Sequence, residues 1–324
     1  VEAAMQEYEM LIIGAGPAGL TAGLYGSRSN LKTVIIEKGL VGGELLNTEA
    51  IEDYTGFEHI KGGELAVLME KHARKFGVEI NTYEEVKSVR RTGDVFEVKT
   101  ANAITSEEKL YQAITVIATA GGTPSKLGVP GEDDYSGRGV SYCAVCDGAF
   151  FNGQIITVVG GGDAAVEEAN YLTRFGSKVY VAHRRNEFRA SKILQDQLFK
   201  NPKAEVIWDT VVEEIKGNGE VDRVVLRNMK TDEVWEHPTQ GVFIFIGFKP
   251  NTYFLDDHPA HDVGGHLITN DRMETSVPGL FAAGDIRSQL VRQITNAVGD
   301  ATVAALAAEK YITHLKHMQS GTGA

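Results

Sequence analysis

Two cysteines, Cys143 and Cys146, are all that the 324 residues contain. A framework of several disulfides is therefore excluded. A cysteine-based zinc site is excluded too, because it takes about four ligands and no second pair exists. Basic residues are in deficit, 32 against 44 acidic ones, for a net charge of -12. That deficit argues against nucleic acid as a partner, since phosphate chains are held by a basic face. No apolar run approaches the roughly 20 residues of a membrane span. Residues 1–9 are acidic and short of apolar side chains, so no secretory leader is expected there.

What remains is a local dithiol, Cys143-Ala144-Val145-Cys146-Asp147, able to close on itself and reopen. The reducing cytoplasm is the expected location for a dithiol that must cycle. A hydrophobic fraction of 43% over this length suffices for the cores of two domains.

The pair lies between two glycine-rich loops. The first follows an apolar strand, 10–13, and reads Gly14-Ala15-Gly16-Pro17-Ala18-Gly19. A helix to about Ser29, with Asn30 as its C-terminal cap, and a strand at 33–36 ending in Glu37 complete a dinucleotide fingerprint. Glycines let the backbone approach a pyrophosphate, and the helix N-terminus supplies amide donors. Glu37 suits a free ribose hydroxyl, hence the adenosine of FAD.

The second loop repeats the plan. Strand 155–159 runs into Gly160-Gly161-Gly162-Asp163-Ala164-Ala165, a helix follows to Phe175, and strand 178–182 ends in His183-Arg184-Arg185, with Arg189 beyond. Arginines in place of an acid favour a ribose that carries a 2′-phosphate. Each charge-assisted bond is worth roughly 1.5–3 kcal/mol, so two arginines give a preference for NADPH over NADH on the order of 10²–10³. A solvated basic turn is the plainer alternative. A third segment, Gly279-Leu280-Phe281-Ala282-Ala283-Gly284-Asp285, is a short strand whose closing acid can hold a ribityl hydroxyl or cap a helix.

Each loop module is followed by strand-like runs at 86–90, 95–100 and 109–111, and again at 210–216, 221–228 and 233–236. Further strands are expected at 114–118 and 241–246. Gly121-Gly122-Thr123-Pro124 and Gly247-Phe248-Lys249-Pro250-Asn251 punctuate them as crossings. The fold expected is α/β: two Rossmann-like, three-layer dinucleotide-binding domains, the NADPH domain (122–247) inserted in a discontinuous FAD domain (1–121 and 248–324). A C-terminal helix at about 296–315 closes the latter. Five histidines, His72, His237, His258, His261 and His266, show no ligand spacing and are read as surface or loop residues. Trp208 and Trp235 are read as packing.

The run Ser141-Tyr142-Cys143-Ala144-Val145-Cys146-Asp147-Gly148, the second glycine loop, His183 to Arg189, Phe281 to Asp285 and Arg292-Gln293-Ile294 together resemble low-molecular-weight thioredoxin reductase, over nearly the whole chain. The resemblance implies an NADPH-dependent FAD enzyme, a homodimer, that reduces the disulfide of thioredoxin. Cys146 would meet the flavin, Cys143 would attack the partner, and Asp147 would carry a proton or cap a helix. It carries flavin contacts onto Gly14, Gly16, Pro17, Ala18, Gly19, Glu37, Lys38, Gly43, Glu44, Asp53, Val86, Ala118, Gly284, Asp285, Arg292, Gln293 and Ile294. NADPH contacts fall on Gly161, Gly162, Asp163, Ala164, His183, Arg184, Arg185, Arg189 and Ile246. A disulfide stacked on the flavin would block the nicotinamide, so the domains are expected to rotate about hinges near Gly121-Gly122 and Gly247.

The chain departs from the family pattern at Val145, usually Thr; at Glu44, usually Gln; at Asp53, often Asn; and at Ala120, usually Gly. None removes a group the reaction needs. Rival readings are a reductase of another disulfide, a flavin or ferredoxin–NADP reductase, which would lack the dithiol, and a non-catalytic nucleotide sensor.

Overall fold

In the computed structural model, which describes residues 5–48, 50–319 and 321, the chain forms two compact units. One is built from both ends of the chain, up to Thr123 and from Lys249; the other is Pro124–Phe248. Residues 1–4 of the acidic stretch lie outside the described residues.

The first unit opens with β1 (Gln6–Ile13), α1 (Pro17–Arg28), β2 (Thr33–Ile36), α2 (Gly62–Lys75) and β3 (Glu79–Asn81). Three long strands follow: β4 (Glu84–Thr92), β5 (Val95–Asn102) and β6 (Glu108–Ala118). After β7 (Gly122–Pro124) the second unit runs β8 (Val140–Ser141), α3 (Ala144–Asp147), β9 (Ile155–Gly160), α4 (Asp163–Leu172), β10 (Lys178–Ala182), α5 (Lys192–Phe199) and β11 (Ala204–Ile207). A meander of β12 (Thr210–Asn218), β13 (Glu220–Asn228) and β14 (Val234–Pro238) leads to β15 (Gly241–Phe245). The chain returns through β16 (Phe248–Pro250), which pairs with β7, to β17 (Leu280–Ala282) and α6 (Ile294–Gln319). No helix of the described residues is long and apolar enough to cross a membrane.

In β1, Met10 to Ile13 is apolar at every position because helices cover one face of the sheet and strands the other. Met10 and Ile12 point to the helical side, Leu11 and Ile13 to the opposite one. Proline at the first position starts α1, and Asn30, with φ 59°, ends the turn beyond it. The seat of α1 is lined by glycine: a Cβ on Gly23 would lie 2.7 Å from Ile35, and one on Gly26 the same distance from Met10. Across α1 lies α6, whose Ala297, Ala301, Ala304, Ala305 and Ala308 are buried at helical spacing. Small side chains on both helices permit close approach.

The strand at 114–118 and the run at 109–111 are one element, β6. One edge pairs in parallel with β1; the other is divided, its first half antiparallel to β5 and its second half parallel to β17. A strand this long reaches both the antiparallel and the parallel part of one seven-stranded sheet, so no turn was needed between them. The second unit keeps these apart: a parallel sheet in the order β11-β10-β9-β15-β8, and a separate three-stranded meander. Its core is accordingly double, Ile156, Val158, Val181 and Phe243 on the helical side, Val159, Val242 and Ile244 against Val212, Ile215 and Val224 of the meander.

Helix α6 is pinned by a buried ion pair, with Arg287 Nη1 2.8 Å from Asp300 Oδ1. The other Asp300 oxygen accepts the Gly284 N–H at 3.2 Å. Removing one partner of such a pair leaves a buried charge uncompensated. Asp300→Ala should lower stability by about 3 kcal/mol or more in denaturant titration; a loss within experimental error would show the pair to be energetically idle.

Candidate functional site

In the first unit, Gly14 closes β1 with φ 101°, and a Cβ there would lie 2.7 Å from the Thr119 carbonyl oxygen. The Thr119 hydroxyl lies 2.8 and 2.9 Å from the carbonyls of Ile13 and Gly14, fastening the loop from below. Gly19 is fixed by the same crowding, since a Cβ would fall 1.8 Å from the Gly14 oxygen. Gly16 is different. It precedes Pro17 and Ala18 as the N-cap of α1, has no capping side chain, and a Cβ there would meet nothing nearer than 3.8 Å. The next turn, Gly42-Gly43, is laid against it, with Gly42 N–H donating to the Ala15 carbonyl at 2.9 Å. Uncapped amides and an uncluttered backbone fit an anionic pyrophosphate.

Glu37 stands at the end of β2 with both carboxylate oxygens engaged, one by Ala15 N–H and one by Gly39 N–H, each at 2.8 Å. It shapes the loop as well as facing it, a role the spacing alone did not reveal. Gly284 completes the cradle, its Cα side closed by Ala18 of α1 and Ala297 of α6. Asp285 caps no helix; it is half-buried, and its carboxyl is pushed up to about 6. Burial is the main cause, opposed by Arg292 and reinforced by Glu44 and Asp300.

Glu44 is exposed and accepts from Asn47 at 3.2 Å. Arg292 donates to a ring nitrogen of His266 at 2.9 Å, Gln293 accepts the Ala297 N–H, and Ile294 opens α6. His266 is thus buried, not a surface residue as its sequence setting suggested, because it fills the space beneath Arg292. Ala118 and Val86 are enclosed in the core, and Lys38 and Asp53 are exposed with no hydrogen bond to the glycine turns among the described residues.

In the second unit, Gly160 ends β9 with φ 154°, and a Cβ would lie 2.4 Å from the Phe245 oxygen. Gly162, the N-cap of α4, has no capping side chain, and a Cβ there would meet nothing within 4 Å. Asp163 and Ala164 begin the helix, and the Asp163 carboxylate accepts the Ser191 N–H at 2.7 Å. His183 does not reach outward with the arginines. Its ring lies under Gly161, packs on Phe188 and Trp208, and bonds the Glu187 carbonyl at 3.0 Å. Burial holds it below the ordinary imidazole range, so it is neutral. Arg184, Arg185 and Arg189 are exposed, and among the described residues no ion pair neutralises them. The loop and the Arg189 turn are tied by Arg189 N–H to the Gly161 carbonyl at 2.8 Å. Ile246 is exposed beyond the end of β15.

Cys143 and Cys146 form a disulfide at the head of α3. Cys143 is the N-cap, and its sulfur accepts the Cys146 N–H at 3.2 Å. Ser141 links the turn: its hydroxyl lies 2.6 Å from the Asp147 carboxylate and accepts the Cys143 N–H at 3.1 Å. The Asp147 side chain makes no capping bond to the 3-10 turn that follows. Buried Glu132 was not foreseen. It receives the Tyr142 hydroxyl at 2.8 Å and two backbone N–H groups, anchoring the chain one residue before the disulfide. Both sulfur-bearing residues are half-buried, and Val145 between them is exposed.

The family model for pyridine nucleotide-disulphide oxidoreductase matches residues 8–301. A thioredoxin reductase of Bacillus subtilis is 48% identical over 310 residues, 95% of this chain and 96% of that one. The thioredoxin reductase structure from Streptococcus pyogenes is 49% identical, with a TM-score of 0.90 over 96% of this chain and all of that chain. That from Lactococcus lactis, in an FR conformation, is 45% identical with a TM-score of 0.63, covering 95% of this chain and 99% of that one.

The raised Asp285 carboxyl has a thermodynamic consequence. The folded chain holds this proton to higher pH than the unfolded chain, so stability falls as pH rises from about 4 to 6. Relative to Asp285→Asn, the flavin-free protein should lose up to about 2–3 kcal/mol across that window. Thermal unfolding of both proteins at a series of pH values measures it; parallel curves would mean that Asp285 ionises normally.

Proposed function

The chain belongs to the pyridine nucleotide-disulphide oxidoreductase family, and we propose that it uses NADPH and FAD to reduce the disulfide of a thioredoxin through Cys143 and Cys146. The observation that carries this reading is the closed disulfide, half-exposed at a helix head, in a chain that also bears two glycine cradles. When bound, FAD would supply the chemistry that couples hydride transfer from reduced nicotinamide to two-electron reduction of a disulfide.

The residues of the first cradle hold the flavin nucleotide: Gly16 and the amides of α1 its pyrophosphate, Glu37 a ribose hydroxyl, and Asp285 with Arg292, Gln293 and Ile294 the flavin end. In the second unit Gly162 and α4 receive the pyrophosphate of NADPH. Arg184, Arg185 and Arg189 clasp the 2′-phosphate, while His183 supports the loop from beneath.

Reduction breaks the Cys143–Cys146 bond and leaves two sulfurs that share protons with their surroundings. The Cys146 N–H already aimed at the Cys143 sulfur stabilises a thiolate there. That thiolate attacks one sulfur of the partner disulfide, and the partner's other sulfur leaves as thiolate. Cys146 then attacks Cys143, the Cys143–Cys146 bond re-forms, and the partner departs as a dithiol. Asp147, held by the Ser141 hydroxyl, carries the proton between these sulfurs and water.

Two tasks for one dithiol, at the flavin and at an outside protein, call for rotation of one unit against the other about the crossings near Gly121-Gly122 and Gly247. Relatives of nearly equal identity, 49% and 45%, superpose with TM-scores as different as 0.90 and 0.63, and the second is named for a conformation. That spread supports a movable pair. A homodimer working in the cytoplasm completes the reading.

Anaerobic nucleotide oxidation by the purified protein is the test. Turnover should require NADPH and thioredoxin together, and Cys146→Ser should abolish it while leaving flavin bleaching by NADPH. Bleaching without turnover on thioredoxin would transfer the reading to another disulfide partner. Arg184→Ala combined with Arg185→Ala should raise KM for NADPH about 10²-fold and leave NADH unchanged; equal effects on both nucleotides would refute the 2′-phosphate assignment.

A further inference from the structure

We propose that His266 is a positioning residue for the flavin-holding segment: braced by Asp262, its ring accepts a hydrogen bond from Arg292 and fixes that guanidinium beside Asp285. The proposal rests on the reading that Arg292 contacts the bound flavin.

The direction of the bond follows from chemistry. A guanidinium carries donors only, so the nitrogen 2.9 Å from Arg292 Nη2, the ring's Nε2, must offer its lone pair. With Nε2 accepting, the ring's N–H is on Nδ1. That nitrogen lies 3.4 Å from Asp262 Oδ1. The same oxygen accepts the backbone N–H groups of Gly264 at 2.8 Å and His266 at 3.0 Å, so the carboxylate is held as a rigid anion. An anion beside Nδ1 favours the tautomer in which Nε2 is the acceptor.

The ring is also tied to the cofactor turn. Leu267, next in the chain, donates its N–H to the Ile286 carbonyl at 3.0 Å and receives the Ser288 N–H at 2.8 Å. His266 therefore keeps a set position relative to Gly284 and Asp285, whereas Arg292 follows an exposed stretch in which Leu290 is 97% exposed. A long side chain at the end of such a stretch gains orientation from an acceptor built into the core. Asp285, Glu44, Asp300 and Arg287 make up the charged surroundings, and Arg292 and Arg287 are the cations that balance these acids.

The test is a double-mutant cycle on the full chain, stripped of flavin and titrated with FAD by fluorescence. Arg292→Ala should weaken FAD by about tenfold or more, and His266→Phe, which keeps a ring but offers no acceptor, by about tenfold. His266→Gln, which restores an uncharged acceptor at similar reach, should bind within about twofold of the parent. Adding His266→Phe to Arg292→Ala should cost nothing further, because His266 acts through Arg292. Thermal unfolding checks that each variant is folded, and His266→Leu replaces the Phe variant should that one not fold. Tight FAD binding by the acceptor-less variant, or the same loss in the Arg292→Ala background as in the parent, would overturn the proposal. If Arg292→Ala binds FAD like the parent, the flavin reading of Arg292 fails first and the proposal with it.

Discussion

Both units depend on one close contact of backbone with backbone. At the end of the strand that leads into each glycine loop, a glycine is pressed against the carbonyl that follows or ends the neighbouring strand. In the first unit Gly14 meets Thr119 beyond β6; in the second, Gly160 meets Phe245 at the end of β15. Each contact leaves no room for a Cβ, and each glycine has a positive φ. The turn that results throws the following helix back across the sheet with its first amides uncapped. Those amides are what suits each loop to an anion. The same constraint is thus met twice, with different partners.

Beyond that shared turn the units differ in how they treat charge. Glu37 spends both oxygens on backbone N–H groups, so its position is set before any ligand arrives. The corresponding end of β10 sets nothing with its charges: Arg184, Arg185 and Arg189 face solvent, and the buried member of the group, His183, is the one held neutral. A loosely held arginine cluster suits a ligand that comes and goes. A pre-ordered acid within a cradle closed by Gly284 suits one that stays. The opposite preferences expected from sequence thus have a mechanical side that residue type alone did not express.

The sequence made legible whatever is carried by neighbouring residues. The cysteine spacing, both glycine loops and the strand–loop–helix order are local patterns, and the elements formed where those patterns lie. Long-range features were hidden. Nothing at 108–118 shows that one strand will take antiparallel and parallel neighbours along the same edge, since its pairing is decided by β1, β5 and β17 from elsewhere in the chain. Glu132 looks like any loop acid until it is found buried against Tyr142. Asp300 reads as a helix residue until Arg287 is found beside it. His266 has no neighbouring signal at all, because its partners, Asp262 and Arg292, gain meaning only from the fold. Helix α2, opened by two glycines behind a lysine that caps nothing, lacked the start signals that made α1 visible.

The departures from the family pattern fall where the structure tolerates them for separate reasons. Val145 is exposed between the two cysteines, so a methyl in place of a hydroxyl disturbs no packing there, and the hydrogen bonds of the turn come from Ser141 and the backbone instead. Ala120 follows the residue that fastens the loop, and the bonds of Thr119 to Ile13 and Gly14 are made without it. Glu44 is the one with an electrostatic reach. It lies on the turn laid against Gly16 and adds its charge to that already pressing on Asp285. An extra acid beside a cradle built for an anion works against binding unless a cation balances it. Arg292, held over His266, is the cation in place to do so. The charge balance around Asp285 therefore turns on how firmly that one guanidinium is kept.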